Sequence, residues 1–221
     1  MWRICNFLVQ RESYRNKKRF ESRIIMIGIV NYGAGNIFSL TAALDRLNIG
    51  YGMINDQNAF DLYDHIIIPG VGHAGSAMNK LHESGLAARI DQLEQPVLGI
   101  CVGMQLLTAF SEEGNSDLLN IMPIRTLHFD KQLAGKVPHM GWNSISPKKD
   151  SAIFQDIADK SYFYFVHSYY IEEHPRYTAA ICHYGIDFSA AIEHNNFIGV
   201  QFHPEKSGVA GEQLLKNFSR L

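Results

Sequence analysis

Pro96-Val-Leu-Gly-Ile-Cys101-Val-Gly-Met-Gln105-Leu-Leu107 carries more structural information than any other segment of the chain. Residues 97–100 are an apolar, strand-like run, and helical spacing follows over 104–110. Between them, Gly-Ile-Cys-Val-Gly has the strand–turn–helix layout of a nucleophile elbow, with cysteine in the place of serine. Glycines two residues before and two after Cys101 suit a turn whose backbone must pass close to neighbouring elements. A cysteine entering a helix N-terminus is favoured as thiolate by the helix dipole. The N–H of Val102 is then the natural donor to an oxyanion forming beside the sulfur. An arbitrary cysteine is more often a small buried hydrophobe. That reading suits Cys182, inside an apolar strand pattern, but not Cys101 between its glycines.

Upstream, β and α patterns alternate. Residues 24–30 read as a buried strand ending in Asn31-Tyr-Gly-Ala-Gly-Asn36, and 38–47 as a helix with apolar positions at 40, 43, 44 and 47. Strands are expected at 51–54 and 65–68, and a helix interrupted by Gly85 over 77–93. The alternation predicts an α/β fold, an open and mostly parallel sheet flanked by helices. After residue 111, short strand candidates at 124–129, 143–146, 162–167, 178–183, 190–193 and 198–202 are separated by turns. They predict a mixed or antiparallel C-terminal extension of the sheet, closed by an amphipathic helix at 212–218.

A cysteine nucleophile needs a base and a proton donor for the leaving group, and histidine serves as both near neutral pH. Gly199-Val-Gln-Phe-His203-Pro-Glu205-Lys206-Ser207 supplies one. In extended chain, residues two apart share a face, so His203 and Glu205 are expected to turn to one site, the carboxylate orienting the imidazole. His73, His139 and His167 read as structural histidines, His167 being nearest to a pocket edge. Ile68-Pro-Gly70-Val71-Gly72-His73 lacks the spacing of a phosphate loop. It fits better as a second oxyanion donor beside Cys101.

The bulk properties are those of an ordinary globular chain: 221 residues, 46% hydrophobic, 19% charged, net charge -2. Neither nucleic acid nor a membrane is indicated as partner, and no apolar run approaches the ~20 residues of a span. Three cysteines, Cys5, Cys101 and Cys182, are too few and too irregular for a disulfide framework or a zinc site. A reducing cytoplasm fits, and no metal or cofactor is expected. Residues 1–25 stand apart: Arg3, Arg11, Arg15, Lys17, Lys18, Arg19 and Arg23 face only Glu12 and Glu21, an excess of five positive charges. The segment reads as a weakly structured basic extension of a domain spanning 26–221. Its removal is expected to leave activity and melting temperature nearly unchanged.

Taken together, Pro69-Gly-Val-Gly72, Gly99-Ile-Cys-Val-Gly-Met-Gln105 and Gly199-Val-Gln-Phe-His-Pro-Glu-Lys-Ser207 resemble the class I glutamine amidotransferases. Asn31-Tyr-Gly-Ala-Gly-Asn36, Pro138-His-Met-Gly-Trp-Asn143 and Tyr164-Phe-Val-His-Ser-Tyr-Tyr170 resemble, within that family, the glutaminase subunits of imidazole glycerol-phosphate synthases. The likeness runs from Met26 to Leu221. It implies that L-glutamine is hydrolysed by Cys101, His203 and Glu205 through a γ-glutamyl thioester. It further implies an oxyanion site at Gly70, Val71, Gly72 and Val102, and substrate contact by Gln105. Ammonia would pass to a (βα)8-barrel synthase subunit in a heterodimer, met by Asn36, Trp142, Tyr164 and Lys206. That synthase makes imidazole glycerol phosphate and aminoimidazole carboxamide ribotide in histidine biosynthesis. Asn120 departs from the pattern, which more usually has glycine there. Two alternatives stand beside it: a paralogue with nearly identical motifs that feeds a sugar-modifying synthase, and a free-standing cysteine hydrolase, which would work without a partner and would not need the Trp142 and Lys206 surface.

Overall fold

Residues 25–148 and 151–221 are described in a computed structural model. The basic extension, Ile25 apart, therefore lies outside the described residues, as does Cys5.

Four short apolar runs form the sheet's parallel half: β1 (Met26–Val30), β2 (Gly50–Ile54), β3 (His65–Ile68) and β4 (Val97–Ile100). With β13 (Phe197–Val200) they lie in the order β2-β1-β3-β4-β13, every neighbouring pair parallel. β3, β4 and β13 are buried throughout, as strands covered on both faces must be. Helix α1 (Ile37–Arg46) starts where Asn36 accepts a hydrogen bond from the Ser39 N–H, and it buries Leu40, Ala43 and Leu44. The predicted interrupted helix is two pieces, α2 (Ala74–Glu83) and α3 (Ala87–Ile90), with Gly85 between them at φ 75°. The crossovers β1–α1–β2 and β3–α2–β4 run in opposite directions across the sheet. Right-handed connections therefore put α1 and α2 on opposite faces.

The helix expected over 104–110 is corrected to α4 (Val102–Leu106) followed by strand β5 (Thr108–Ser111). Leu106, Leu107 and Phe110 match helical spacing, but the Thr108 hydroxyl donates to the Gln105 carbonyl at 2.8 Å and closes the helix. The chain beyond it pairs with β6 (Ser116–Asp117) and, in parallel, with β7 (Met122–His128). Asn120 sits between β6 and β7 at φ 54°, a conformation asparagine tolerates, so the turn keeps its shape without glycine.

Beyond β7 and the single turn of α5 (Lys131–Ala134) come β8 (His139–Pro147), β9 (Tyr162–His167), β10 (Tyr169–Ile171), β11 (Thr178–Tyr184) and β12 (Ile186–His194). All join the sheet by antiparallel pairing, β10 bridging β7 to β12, and β11 carrying the β8–β9 ribbon. The mixed C-terminal extension is thus as expected. Helix α6 (Gly208–Phe218) closes the chain, burying Leu214, Leu215 and Phe218. The carboxyl ends of β1, β3, β4 and β13 lie side by side. This edge is where open α/β sheets place their sites.

Candidate active site

Cys101 leaves β4 with φ 55° and ψ -110°, a strained conformation for a residue with a side chain. Three bare backbones hold it there. A Cβ on Gly99 would meet the Gly103 carbonyl oxygen at 2.5 Å, one on Gly70 the Gly103 nitrogen at 2.6 Å, and one on Gly103 would overlap the Ile68 oxygen. The glycines that framed the cysteine in sequence therefore let α4 lie directly on the end of β3 and on the Gly70 loop. The Cys101 carbonyl accepts from the N–H groups of Met104 and Gln105, while Val102, at the first helical position, has no partner within the helix for its own N–H.

His203 follows β13. The strand expected to continue through 202 ends at Val200, and Glu205 lies in a short 3-10 turn, Pro204–Lys206. The two side chains meet across this turn rather than along extended chain, because Pro204 ends the strand and starts the turn. His203 Nδ1 lies 2.8 Å from Glu205 Oε1, both side chains almost fully buried. Nδ1 is therefore the protonated nitrogen, and Nε2 faces Cys101. Burial opposes a charge on His203, but the Cys101 side chain and the Glu205 carboxylate outweigh it and push its pKa up to about 10. The arrangement favours a proton on His203.

The main chain of His203 is clamped to β9. Its N–H donates to the Tyr164 carbonyl at 2.9 Å. The Ser207 hydroxyl donates to the His203 carbonyl at 2.6 Å and accepts from the Tyr164 N–H at 3.0 Å.

Gly70, Val71 and Gly72 form the loop between β3 and α2. Val71 is partly exposed, and Gly72 has φ 92°. Buried Tyr32 anchors the loop by donating to the Pro69 carbonyl at 2.7 Å. Burial pushes the Tyr32 phenol well above its usual pKa, so it remains a donor. Gly70 and Val71 share a small cavity with Asn36, His203 and Glu205.

Gln105 is buried near Cys101, to which Gln201 links it. Its Nε2 donates to Gln201 Oε1 at 3.1 Å and, at 3.4 Å, to the Tyr169 carbonyl. Gln201 Nε2 in turn lies 3.7 Å from Cys101 Sγ. The sequence reading missed Gln201, although its spacing of two from His203 was the available signal. It also missed Tyr32 and Ser207, for which no local signal exists. Cys182 is buried with its pKa pushed up to about 12 by burial, the inert thiol expected. His73 caps α2 by accepting from the Ser76 N–H.

Trp142 and Tyr164 are directly opposite each other on β8 and β9, with ring centroids 6.2 Å apart, and Lys206 Nζ lies 5.9 Å from the Tyr164 centroid. Met140 and Tyr162 extend this exposed face, Met140, Trp142 and Tyr162 each being more than half exposed. Asn36 is apart from it, at the start of α1. Among the described residues no cluster suited to a metal ion occurs, and no helix is long and apolar enough to cross a membrane.

The family model for glutamine amidotransferase class-I matches residues 29–220. An imidazole glycerol phosphate synthase subunit HisH from Pasteurella multocida is 49% identical over 193 residues, 87% of this chain and 96% of that protein. The HisH subunit of Bacteroides fragilis is 46% identical over 196 residues, 88% and 99% of the two chains. Among solved structures, PurLQS from Thermotoga maritima aligns with a TM-score of 0.65 at 17% identity, covering 88% of this chain and 97% of that one, a likeness of fold.

Proposed function

The chain belongs to the class-I glutamine amidotransferases, among the HisH subunits of imidazole glycerol phosphate synthase, and from that membership we propose that Cys101, His203 and Glu205 release ammonia from L-glutamine for a (βα)8-barrel synthase subunit. One observation carries the assignment: the cysteine on its strained elbow has a buried histidine–carboxylate pair turned toward it.

The chemistry follows from the geometry. Cys101 Sγ attacks the side-chain carboxamide carbon. The oxyanion is met by the N–H of Val102 and, once its peptide reorients, of Val71. His203, charged in the resting pair, gives its Nε2 proton to the departing nitrogen, and ammonia leaves the γ-glutamyl thioester. Water then attacks the thioester carbon, His203 Nε2 takes the water's proton, and the sulfur leaves as thiolate with glutamate released. Glu205 holds the imidazole tautomer throughout. Among the described residues Gln105 Oε1 receives no hydrogen bond, which suits it to accept from the substrate's α-ammonium.

The exposed face of Met140, Trp142, Tyr162 and Tyr164, with Lys206 beside Tyr164, is the surface for the barrel subunit, and Asn36 would meet it separately from the start of α1. The complex would supply imidazole glycerol phosphate and aminoimidazole carboxamide ribotide in the cytoplasm, for histidine biosynthesis. Cys101→Ala tests the reading on the assembled complex. Glutamine-dependent synthesis should disappear while ammonia-dependent synthesis persists. Loss of both would make the cysteine a structural residue, and retention of both would remove it from the mechanism.

A further inference from the structure

Two buried histidines that take no part in the triad chemistry lie on the β8–β9 ribbon. His139 on β8 and His167 on β9 are opposite each other, and His139 Nδ1 is 2.9 Å from His167 Nε2. His167 Nδ1 is 2.7 Å from the Tyr169 carbonyl oxygen. A carbonyl only accepts, so His167 carries its proton on Nδ1 and accepts at Nε2. His139 must then donate from Nδ1 and accept at Nε2, where Asn143 Nδ2 lies at 3.2 Å. Every bond in the chain runs one way, from the Asn143 amide to the Tyr169 carbonyl. Charging either ring would set two N–H groups against each other. Burial agrees, pushing the pKa of His139 down to about 4 and of His167 to about 3. Aromatic rings enclose the pair: Phe165 stacks on His139, and Phe129 meets His167 edge-on.

The Tyr169 carbonyl at the end of this chain is also an acceptor for Gln105 Nε2, which donates as well to Gln201 Oε1. We propose that His139 and His167 are positioning residues for glutamine binding: as neutral donors in series they hold the Tyr169 carbonyl, and through it the Gln105 side chain, in its receiving orientation. The inference rests on the glutaminase reading and deepens it. A pair that merely filled the core would be replaceable by apolar rings of similar size. Here the polar atoms of both rings form a directed chain whose end, the Tyr169 carbonyl, also receives Gln105.

The test is steady-state glutamine hydrolysis by the assembled complex with His167→Phe and His167→Asn. Phenylalanine keeps the ring and removes both hydrogen bonds, whereas asparagine keeps a donor near the Nδ1 position. His167→Phe should raise KM for glutamine roughly tenfold or more with kcat changed by less than about threefold. His167→Asn should recover most of that loss. A KM within about twofold of wild type for His167→Phe, or equal losses in both variants, overturns the proposal. Nitrogen-15 shifts of the wild-type imidazoles at neutral pH give a second measurement that no folding defect can obscure. Two neutral rings, each with Nδ1–H, are expected; a charged ring, or His167 protonated at Nε2, overturns it. If the wild-type complex releases no glutamate, the glutaminase reading itself falls, whereas an active wild type with an unaltered His167→Phe variant removes this inference alone.

Discussion

Gly103→Ala sets two effects of opposite sign against each other at one atom. Gly103 is in α4, and by helix propensity alone alanine is better there by about 1 kcal/mol. The structure predicts the reverse. A Cβ at this position overlaps the Ile68 carbonyl oxygen and comes within 2.9 Å of its carbon, and both are backbone atoms of a central strand. No rotamer change relieves the clash, so α4 must lift from β3 by roughly 1 Å in an interior packed like a crystal. Overpacking of this kind costs about 1–3 kcal/mol or more, which outweighs the propensity gain. Cys101 caps the same helix and moves with it, and a displacement near 1 Å can cost about a hundredfold in rate. Gly75→Ala is the comparator. It also lies in a helix, but its Cβ would meet chiefly the Ser116 hydroxyl, the movable end of a side chain. Urea unfolding should find Gly103→Ala less stable than wild type and Gly75→Ala within about 1 kcal/mol of it. Glutamine hydrolysis by the complex should fall about a hundredfold in the first and little in the second. A Gly103→Ala protein at least as stable as wild type, with undiminished hydrolysis, would refute the packing argument for the elbow.

Tyr32→Phe removes the donor to the buried Pro69 carbonyl, so urea unfolding should show a loss of about 1–3 kcal/mol, with kcat for glutamine lowered more than KM is raised; an unchanged urea midpoint would mean the loop is held by other contacts. The pKa of His203 is raised to about 10 from an ordinary value near 6.5, so the folded state favours its proton. The stability this contributes is complete below about pH 6.5 and fades as pH rises through 10. The gap in unfolding free energy between wild type and a Cys101→Ala/Glu205→Gln double variant should therefore be widest near pH 6 and close toward pH 10. A gap independent of pH would deny the ion pair. Trp142→Ala should weaken binding of the barrel subunit by about 2 kcal/mol in titration calorimetry, leaving the melting temperature of the isolated chain unchanged; unaltered affinity would place the docking face elsewhere.

What the sequence made legible was what short-range pattern encodes. β3 and β4 could be bounded to the residue because apolar runs stop at Pro69 and at Cys101. The flanking glycines announced a close backbone approach that does occur. Failures came where a distant partner decides. Residues 108–110 fall at the end of a stretch with helical spacing, yet they enter strand β5 because β7 offers an edge to pair with. The two-residue interval between His203 and Glu205 suggested the right pair for a different geometry, since the strand stops three residues before His203. Gln201 touches a sulfur 100 residues away in the chain, and Tyr32 holds a carbonyl 37 residues away. The Tyr32 contact leaves no local signature, and for Gln201 the interval of two from His203 is the one local hint.

The β8–β9 ribbon shows how one period of two serves both of the roles assigned to this region. Met140 and Trp142 on β8, with Tyr162 and Tyr164 on β9, face outward, whereas His139, Phe163, Phe165 and His167 alternate with them and are buried. The outer set is the proposed docking surface, and the inner set packs into the core, with His167 bonded to the Tyr169 carbonyl. Tyr164 belongs to both, because its main-chain N–H and carbonyl clamp His203 through Ser207 and by direct bond. A partner pressing on Trp142 and Tyr164 would bear on a strand whose main chain is bonded directly to His203, the proposed base. A displacement of β9 on docking would be transmitted to His203 through these bonds.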